Sequence, residues 1–274
     1  MLQQRTIDND PAFESLLRKI RRERGLDCNQ YKSAFLQRRL AVRLRARGVK
    51  SYRAYTRLLD DEEYDQLFDA LTINLTHFFR DATTFVALRD RVLRPMLGLK
   101  AQQGRRQFRA WSAGCASGEE PYSLAILLHQ MLGAQIEEWQ IRILATDLDQ
   151  RRLEQAQAGV YSPFSFRGTQ WPDMDRFFVT TRHGHTIVPQ VKRLVRFRRH
   201  DLIGEEPPGR FDLILCRNVL IYFTRLQQVR LCRAFHSALM PDGVLVLGKT
   251  EILPGEVAGL FEPVDLREHI YRSQ

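Results

Sequence analysis

The stretch Trp111–Ser123 reads WSAGCASGEEPYS and has the residue types of a ligand loop between a strand and a helix. Gly114 and Gly118 allow close backbone approach. The Gly-x-Gly-x-x-Gly spacing of a dinucleotide loop is missing, and two carboxylates, Glu119 and Glu120, stand at the mouth of the helix instead. Acids at a helix N-terminus can simply cap its dipole. In a ligand cleft they repel phosphate, and one of them can neutralise an ammonium group through a charge-assisted hydrogen bond. A third acid, Asp147, ends the apolar run IRILATD, where it is placed to hydrogen-bond a ribose diol.

A ligand with a ribose and a positive end, but no phosphate, suits this set better than a dinucleotide or a nucleoside triphosphate. S-adenosylmethionine is such a ligand: it carries a sulfonium and an ammonium group. The acids and the missing fingerprint disfavour a dinucleotide oxidoreductase.

The elements that must hold these residues follow from periodicity. FRAWSAG, IRILATD, FDLILCRN and VLVLG read as buried strands. PYSLAILLHQML, LDQRRLEQAQAG and TRLQQVRLCRAFHSALMPDG read as the helices between them. Pro121 suits a first helical turn, and Gly159 suits a helix stop. The alternation predicts a doubly wound, mostly parallel α/β sheet, whose ligands sit beyond the carboxyl ends of the strands. FEPVDLREHIYR is placed as an antiparallel edge hairpin. RFFVTTRHGHTIVPQVKRLVRFR, residues 176–198, breaks the alternation and reads as a small β insert. Before all this the chain is helical. Phe13, Leu16, Leu17 and Ile20 share one helical face, as do Phe35, Leu36, Leu40 and Leu44, and Ser51 is a good N-cap.

The chain has 274 residues, 44% of them hydrophobic, and a formal charge of +10. This excludes global disorder and favours an acidic partner. No apolar run reaches the roughly 20 residues of a membrane span, and MLQQRTIDND has no secretory apolar core. Cys28, Cys115, Cys216 and Cys232 lack metal-ligand spacing and read as buried thiols. A soluble, cytoplasmic protein without a metal is expected.

Four motifs in order, NLTHFFRD (Asn74–Asp81), WSAGCASGEEPYS, ATDLD (Ala145–Asp149) and FDLILCRNVLIYF (Phe211–Phe223), resemble the CheR-type chemoreceptor glutamate methyltransferases. The resemblance runs nearly end to end. It implies an all-α receptor-docking domain over residues 1–80, and an S-adenosylmethionine-binding class I methyltransferase domain over residues 81–274 with the β insert inside it. It also implies the reaction: methyl transfer to glutamate side chains on the cytoplasmic helical domain of chemoreceptors, giving γ-methyl esters and S-adenosylhomocysteine for sensory adaptation. The cofactor set it implies is Asn74, Thr76, Arg80, Gly114, Glu120 (Glu119 less so), Asp147, Asp201, Leu202, Arg217 and Asn218. Family members often carry Asn where this chain has Asp201. Arg80 and Tyr222 are the residues it places near the transferred methyl.

The acceptor carboxylate is ionised at neutral pH and needs alignment rather than a strong base. Arg80 suits holding its oxygens, and Tyr222 suits a hydrogen bond beside the sulfonium. Their plainer readings are a salt bridge from Arg80 to Asp81 or Asp90 and a half-buried aromatic at Tyr222. From Cys28 to Leu59 there is no acid, and Arg39, Arg43 and Arg47 form one i, i+4 row. The row is expected to dock an acidic receptor helix; otherwise it is a solvated basic face. The insert's turn, TTRHGHTIVP, holds a single glycine, so no strong binding of a receptor tail pentapeptide is expected. A monomer is expected, with neither nucleic acid nor membrane insertion. A nucleic-acid methyltransferase is disfavoured because CRNVLIYF stands where an Asn/Asp-Pro-Pro-aromatic cluster belongs. A non-catalytic adaptor of the same fold is disfavoured by the retained Arg80, Asp147, Asn218 and Tyr222.

Overall fold

The structure, a computed structural model, describes residues 10–71, 76–182 and 184–274. The chain forms two compact units, one from residues 1–73 with 222–227 and the other from 74–221 with 228–274.

The first unit is helical: α1 (Pro11–Arg24), α2 (Ser33–Ala46), α3 (Tyr52–Thr56) and α4 (Asp61–Leu71). Asp10 caps α1 by accepting from the Ala12 N–H at 2.8 Å, and Gly25 closes it in the left-handed region. Ser51 caps α3, as its type predicts. The apolar rows bury Phe13, Leu16, Leu17, Ile20, Phe35, Leu36 and Leu40 in one core. That core also takes a charge. Glu63 on α4 is 2% exposed. It receives both Nε and Nη2 of Arg43, at 3.0 and 2.9 Å, and the Tyr55 hydroxyl. Arg47 adds a 3.5 Å contact. Two members of the arginine row therefore turn onto an internal carboxylate. Arg39 does not: it lies over the Phe35 ring.

The second unit holds a seven-stranded sheet built from β1 (Gln107–Ala113), β2 (Gln140–Asp147), β6 (Val195–Arg199), β7 (Phe211–Cys216), β8 (Leu239–Leu247), β9 (Phe261–Asp265) and β10 (Ile270–Ser273). The order is β6-β2-β1-β7-β8-β10-β9, parallel except for β10 against β8 and β9. A three-stranded antiparallel sheet, β3-β5-β4, is made from β3 (Val160–Tyr161), β4 (Phe178–Thr181) and β5 (Gly184–Ile187). The helices are α5 (Ala82–Ala87), α6 (Arg94–Gln102), α7 (Glu119–Leu132), α8 (Gln150–Ala158), α9 (Pro189–Lys192) and α10 (Arg225–Ala238). Among the described residues no helix is long and apolar enough to cross a membrane.

Three boundaries differ from expectation. The helical unit ends at residue 73, not 80. Segment 76–81 belongs with the sheet because Phe78 N donates to Ser165 O at 2.8 Å and Phe79 N to the Ser123 hydroxyl at 2.8 Å. The insert lies earlier than residues 176–198: Val160–Tyr161 pairs into the small sheet, whereas Val195–Arg199 pairs with β2 as the edge of the large one. The α5–α6 rod, a π-turn at Leu88–Leu93 between two α-helical halves, was not anticipated. Pro95 has no N–H to give, and the chain widens just before it.

Candidate cofactor cleft

The loop after β1 bends back on β2. The Gly114 and Cys115 N–H groups both donate to Thr146 O, at 2.8 and 2.9 Å. Gly114 and Gly118 have φ of 82° and 91°, a region that favours glycine. Their missing side chains also serve the loop's own packing. A Cβ on Gly114 would lie 2.5 Å from Val219 Cγ2, and one on Gly118 would lie 2.8 Å from the Ala156 Cβ.

The two glutamates separate cleanly. Glu119 is 2% exposed and turns inward, accepting from the Ser117 and Ser165 hydroxyls at 2.8 and 3.0 Å. Glu120 accepts from the Ser112 hydroxyl at 2.7 Å and faces Arg217 Nη1 at 3.4 Å, keeping 14% of its side chain exposed. Burial pushes both carboxyls up; around Glu120 the Arg217 charge opposes that and Glu251 adds to it. Glu120 is thus the acid with accepting capacity left for a cation.

At the tip of β2, Asp147 accepts from Ala116 N at 2.8 Å and from Asp149 N at 3.0 Å. Burial raises its carboxyl, against these two N–H groups. Its carbonyl takes the His200 N–H at 3.0 Å, which places Asp201 and Leu202 beside it. The Asp201 side chain folds back to accept from Ile203 N at 2.9 Å, and His200 Nδ1 meets Glu205 at 3.0 Å.

Arg80 sits between two residues in left-handed conformation, Phe79 (φ 50°) and Asp81 (φ 57°). Several contacts hold this turn. Phe79 stacks on Trp171 at 4.2 Å, and Thr169 donates to Phe78 O at 2.6 Å. Arg217 Nη2 donates to both Arg80 O and Asp81 at 2.8 Å. Asp81 pairs with Arg217, and Asp90 with Arg89 and Arg94. The Arg80 charge, after burial, lowers His77. Thr76 is half-buried at the start of this segment, and Asn74 lies outside the described residues.

Arg217 and Asn218 follow β7. Asn218 has φ of 62°, and a residue missed in the sequence holds it there. The buried Glu251 accepts from the N–H groups of Gly248 at 2.6 Å, Asn218 at 2.8 Å and Ile221 at 3.2 Å. One carboxylate therefore shapes the whole turn that carries Arg217 and Asn218. Tyr222 belongs to the helical unit, where its ring packs on Phe35 at 4.8 Å and its carbonyl accepts from Lys32 N at 2.9 Å.

These groups fit S-adenosylmethionine. Glu120 and Arg217 lie side by side, and Arg217 Nε is buried without a partner among the described residues. Together they offer the counter-charges of an α-amino acid's ammonium and carboxylate. Asp147 retains lone pairs for a diol.

Known proteins agree with this architecture. Residues 11–72 match the family model of the CheR methyltransferase all-alpha domain, and residues 74–270 that of the CheR methyltransferase SAM binding domain. The chain is 33% identical over 258 residues to a chemotaxis protein methyltransferase of Salmonella typhimurium, covering 90% of this chain and 86% of that one. It is 34% identical over 246 residues to a chemotaxis protein methyltransferase of Listeria monocytogenes, covering 89% and 91%. It is also 34% identical over 245 residues to an uncharacterized 104.1 kDa protein of Rhodobacter capsulatus, covering 89% of this chain but only 25% of that protein's length. With both of its domains matched in order, the chain belongs to the CheR methyltransferase family, and residues 74–270 are its S-adenosylmethionine-binding domain.

Proposed function

We propose that the protein methylates glutamate side chains on the helical cytoplasmic domain of chemoreceptors, leaving γ-methyl esters and S-adenosylhomocysteine. The observation that carries this reading is the Glu120–Arg217 pair beside β1, with a further acid, Asp147, at the end of β2. The family supplies the rest: the relatives from Salmonella typhimurium and Listeria monocytogenes are chemotaxis protein methyltransferases.

When bound, S-adenosylmethionine supplies an electrophilic methyl group on a sulfonium. Glu120 holds the ammonium end and Arg217 the carboxylate end, while Asp147 takes the ribose hydroxyls. Asp201 and Leu202 would flank the adenine and Thr76 would add a contact; Asn74, outside the described residues, is kept in the proposed set on the resemblance alone. Arg80, fixed between its two left-handed neighbours, holds the acceptor carboxylate in line by charge-assisted hydrogen bonds. Its grip is loose enough to leave the oxygen nucleophilic, since tight ground-state binding raises the barrier. Tyr222 is the second catalytic residue of this reading.

The receptor is docked by the basic face of α2, chiefly Arg39, because Arg43 and Arg47 also serve Glu63. Docking does not use a receptor tail. The β4–β5 hairpin closes from Thr181 to Gly184, and its one glycine is consumed by packing: a Cβ there would lie 2.5 Å from Tyr161 O. The protein works as a cytoplasmic monomer. Transfer of labelled methyl to receptor cytoplasmic fragments tests the reading. Base-labile label on glutamate is expected, and Arg80→Ala should abolish it. Label in nucleic acid and none in the receptor would overturn it.

A further inference from the structure

One face of the large sheet is covered only in part: Trp111 and Thr146 are buried there, with His200 and Phe235 against Trp111, while the corner over β6, β2 and the start of β1 is exposed. Parallel sheets are normally covered on both faces, and a parallel crossover usually carries a helix that does the covering. Here the connection from β6 to β7 passes two strands, β2 and β1, yet residues 200–210 contain no helix. The uncovered area is basic. Arg109 on β1 and Arg142 on β2 are direct register partners. Arg196 and Arg198 on β6 pair with Leu144 and Thr146 of β2. Alternate residues share a face, so Arg109, Arg142, Leu144, Arg196 and Arg198 lie together. The hydrogen bond from Trp111 Nε1 to the Thr146 hydroxyl, 2.9 Å, confirms the shared side. All four arginines are exposed, Leu144 is half-buried among them, and none of the four makes a salt bridge among the described residues.

Protection of a sheet edge does not account for this arrangement. Charges on β6 would blunt the edge, but Arg142 and Arg109 lie one and two strands further in. Two like charges directly opposite each other weaken a sheet. Like-charged, unpaired, and grouped around an apolar floor, the four side chains suit an anionic partner that also has an apolar stripe.

We infer that this basic corner of the sheet docks an acidic amphipathic helix of a partner protein. With strands spaced by about 4.8 Å, the patch from Arg109 on β1 across β2 to the β6 arginines is about as wide as one helix of roughly 10–12 Å. Glutamates flanking a leucine stripe would meet the guanidinium forks while the stripe covers Leu144. Nucleic acid fits less well, because the face has no exposed aromatic on which a base stacks and Leu144 would be wasted.

The test uses the full chain and a labelled synthetic 18-residue helix with a Leu stripe flanked by Glu, followed by fluorescence anisotropy and hydrogen exchange. Saturable binding with slowed exchange over residues 107–111, 140–144 and 195–199 is expected. The pair Arg142→Glu/Arg196→Glu should weaken binding at least about tenfold, a loss of about 1.4 kcal/mol. The same pair changed to Lys should weaken it less. S-adenosylmethionine affinity should be unchanged in both, which certifies the fold. Arg38→Glu, on α2, should leave the protection pattern intact. Undiminished binding by the Glu pair, protection confined to other segments, or tighter binding of a duplex DNA than of the peptide to these strands would overturn the proposal.

Discussion

Each of the two units buries a glutamate against an arginine, and the pairs are built to opposite specifications. In the helical unit Glu63 is saturated: Arg43 grips both oxygens, and Tyr55 and Arg47 take what remains. Burial alone would raise its carboxyl, but these donors outweigh burial and hold it below the ordinary value. In the sheet unit Glu120 has one hydroxyl and a single 3.4 Å guanidinium contact, and its carboxyl stays raised. Its partner Arg217 has a side chain 2% exposed yet keeps an Nε without a partner among the described residues. A completed pair holds structure. An incomplete one leaves donors and acceptors for a ligand.

Removing the completed pair's acid should have the largest effect. Glu63→Ala leaves Arg43 buried and uncompensated, and such losses run to about 3–5 kcal/mol. Chemical denaturation followed by far-ultraviolet circular dichroism should show it, and a loss below about 1 kcal/mol would erase the contrast.

Glu120→Gln should behave in reverse. Charge-assisted hydrogen bonds are worth about 1.5–3 kcal/mol, so S-adenosylmethionine affinity should fall roughly tenfold to hundredfold. Stability should hold or rise, because the raised carboxyl makes the ionised form of Glu120 the costly one and Arg217 keeps Asp81 as its partner. Calorimetric titration beside a melting curve reads both.

Acid should separate the pairs in a fixed order. Glu120 and Asp147 have raised carboxyls, so their ionised forms cost stability at neutral pH, and protonation relieves that cost above the ordinary values of 4.5 and 3.8. Cofactor affinity should therefore weaken first as pH falls. Glu63 has a lowered carboxyl, so its contribution is fully present above 4.5 and is lost only as pH drops through its folded value. Titrating binding and helicity together should show binding failing at the higher pH; coincident loss would contradict the assignment.

The smallest effect belongs to Arg47→Ala. Its side chain is 42% exposed and 3.5 Å from Glu63, so solvent screening should hold the cost under about 1 kcal/mol.

Much of this was legible in residue types. FDLILC is buried at all six positions, and an apolar run of that length bounded by Gly209 and Asn218 has little choice but an inner strand. The places of Glu120 in the first turn of α7 and Asp147 at the end of β2 were legible because the apolar periodicity fixes where those elements start and stop. Glu251 was not: its role comes from N–H groups of residues 218, 221 and 248 converging in space, and KTEILPG carries no trace of that. Nor was the inward turn of Arg43, since an i, i+4 row of arginines reads as surface until α4 brings a carboxylate to it. The basic corner of the sheet was hidden for a similar reason. Arg109, Arg142, Arg196 and Arg198 are far apart in the chain, and only strand register assembles them.

The chain's route has a consequence for its birth on the ribosome. The helical unit is synthesised first, but its set is completed by residues 222–227, where Tyr222 packs on Phe35 and Tyr31 bridges Phe223. About 150 residues separate the two parts, which is roughly 8–30 s of translation. During that interval the nascent helices wait with Phe35 unsealed, and the last strands of the sheet, β8 to β10, have yet to be made. The domain that begins first is thus finished in the middle of the other's synthesis, so neither can be released as a closed module before its neighbour is nearly complete.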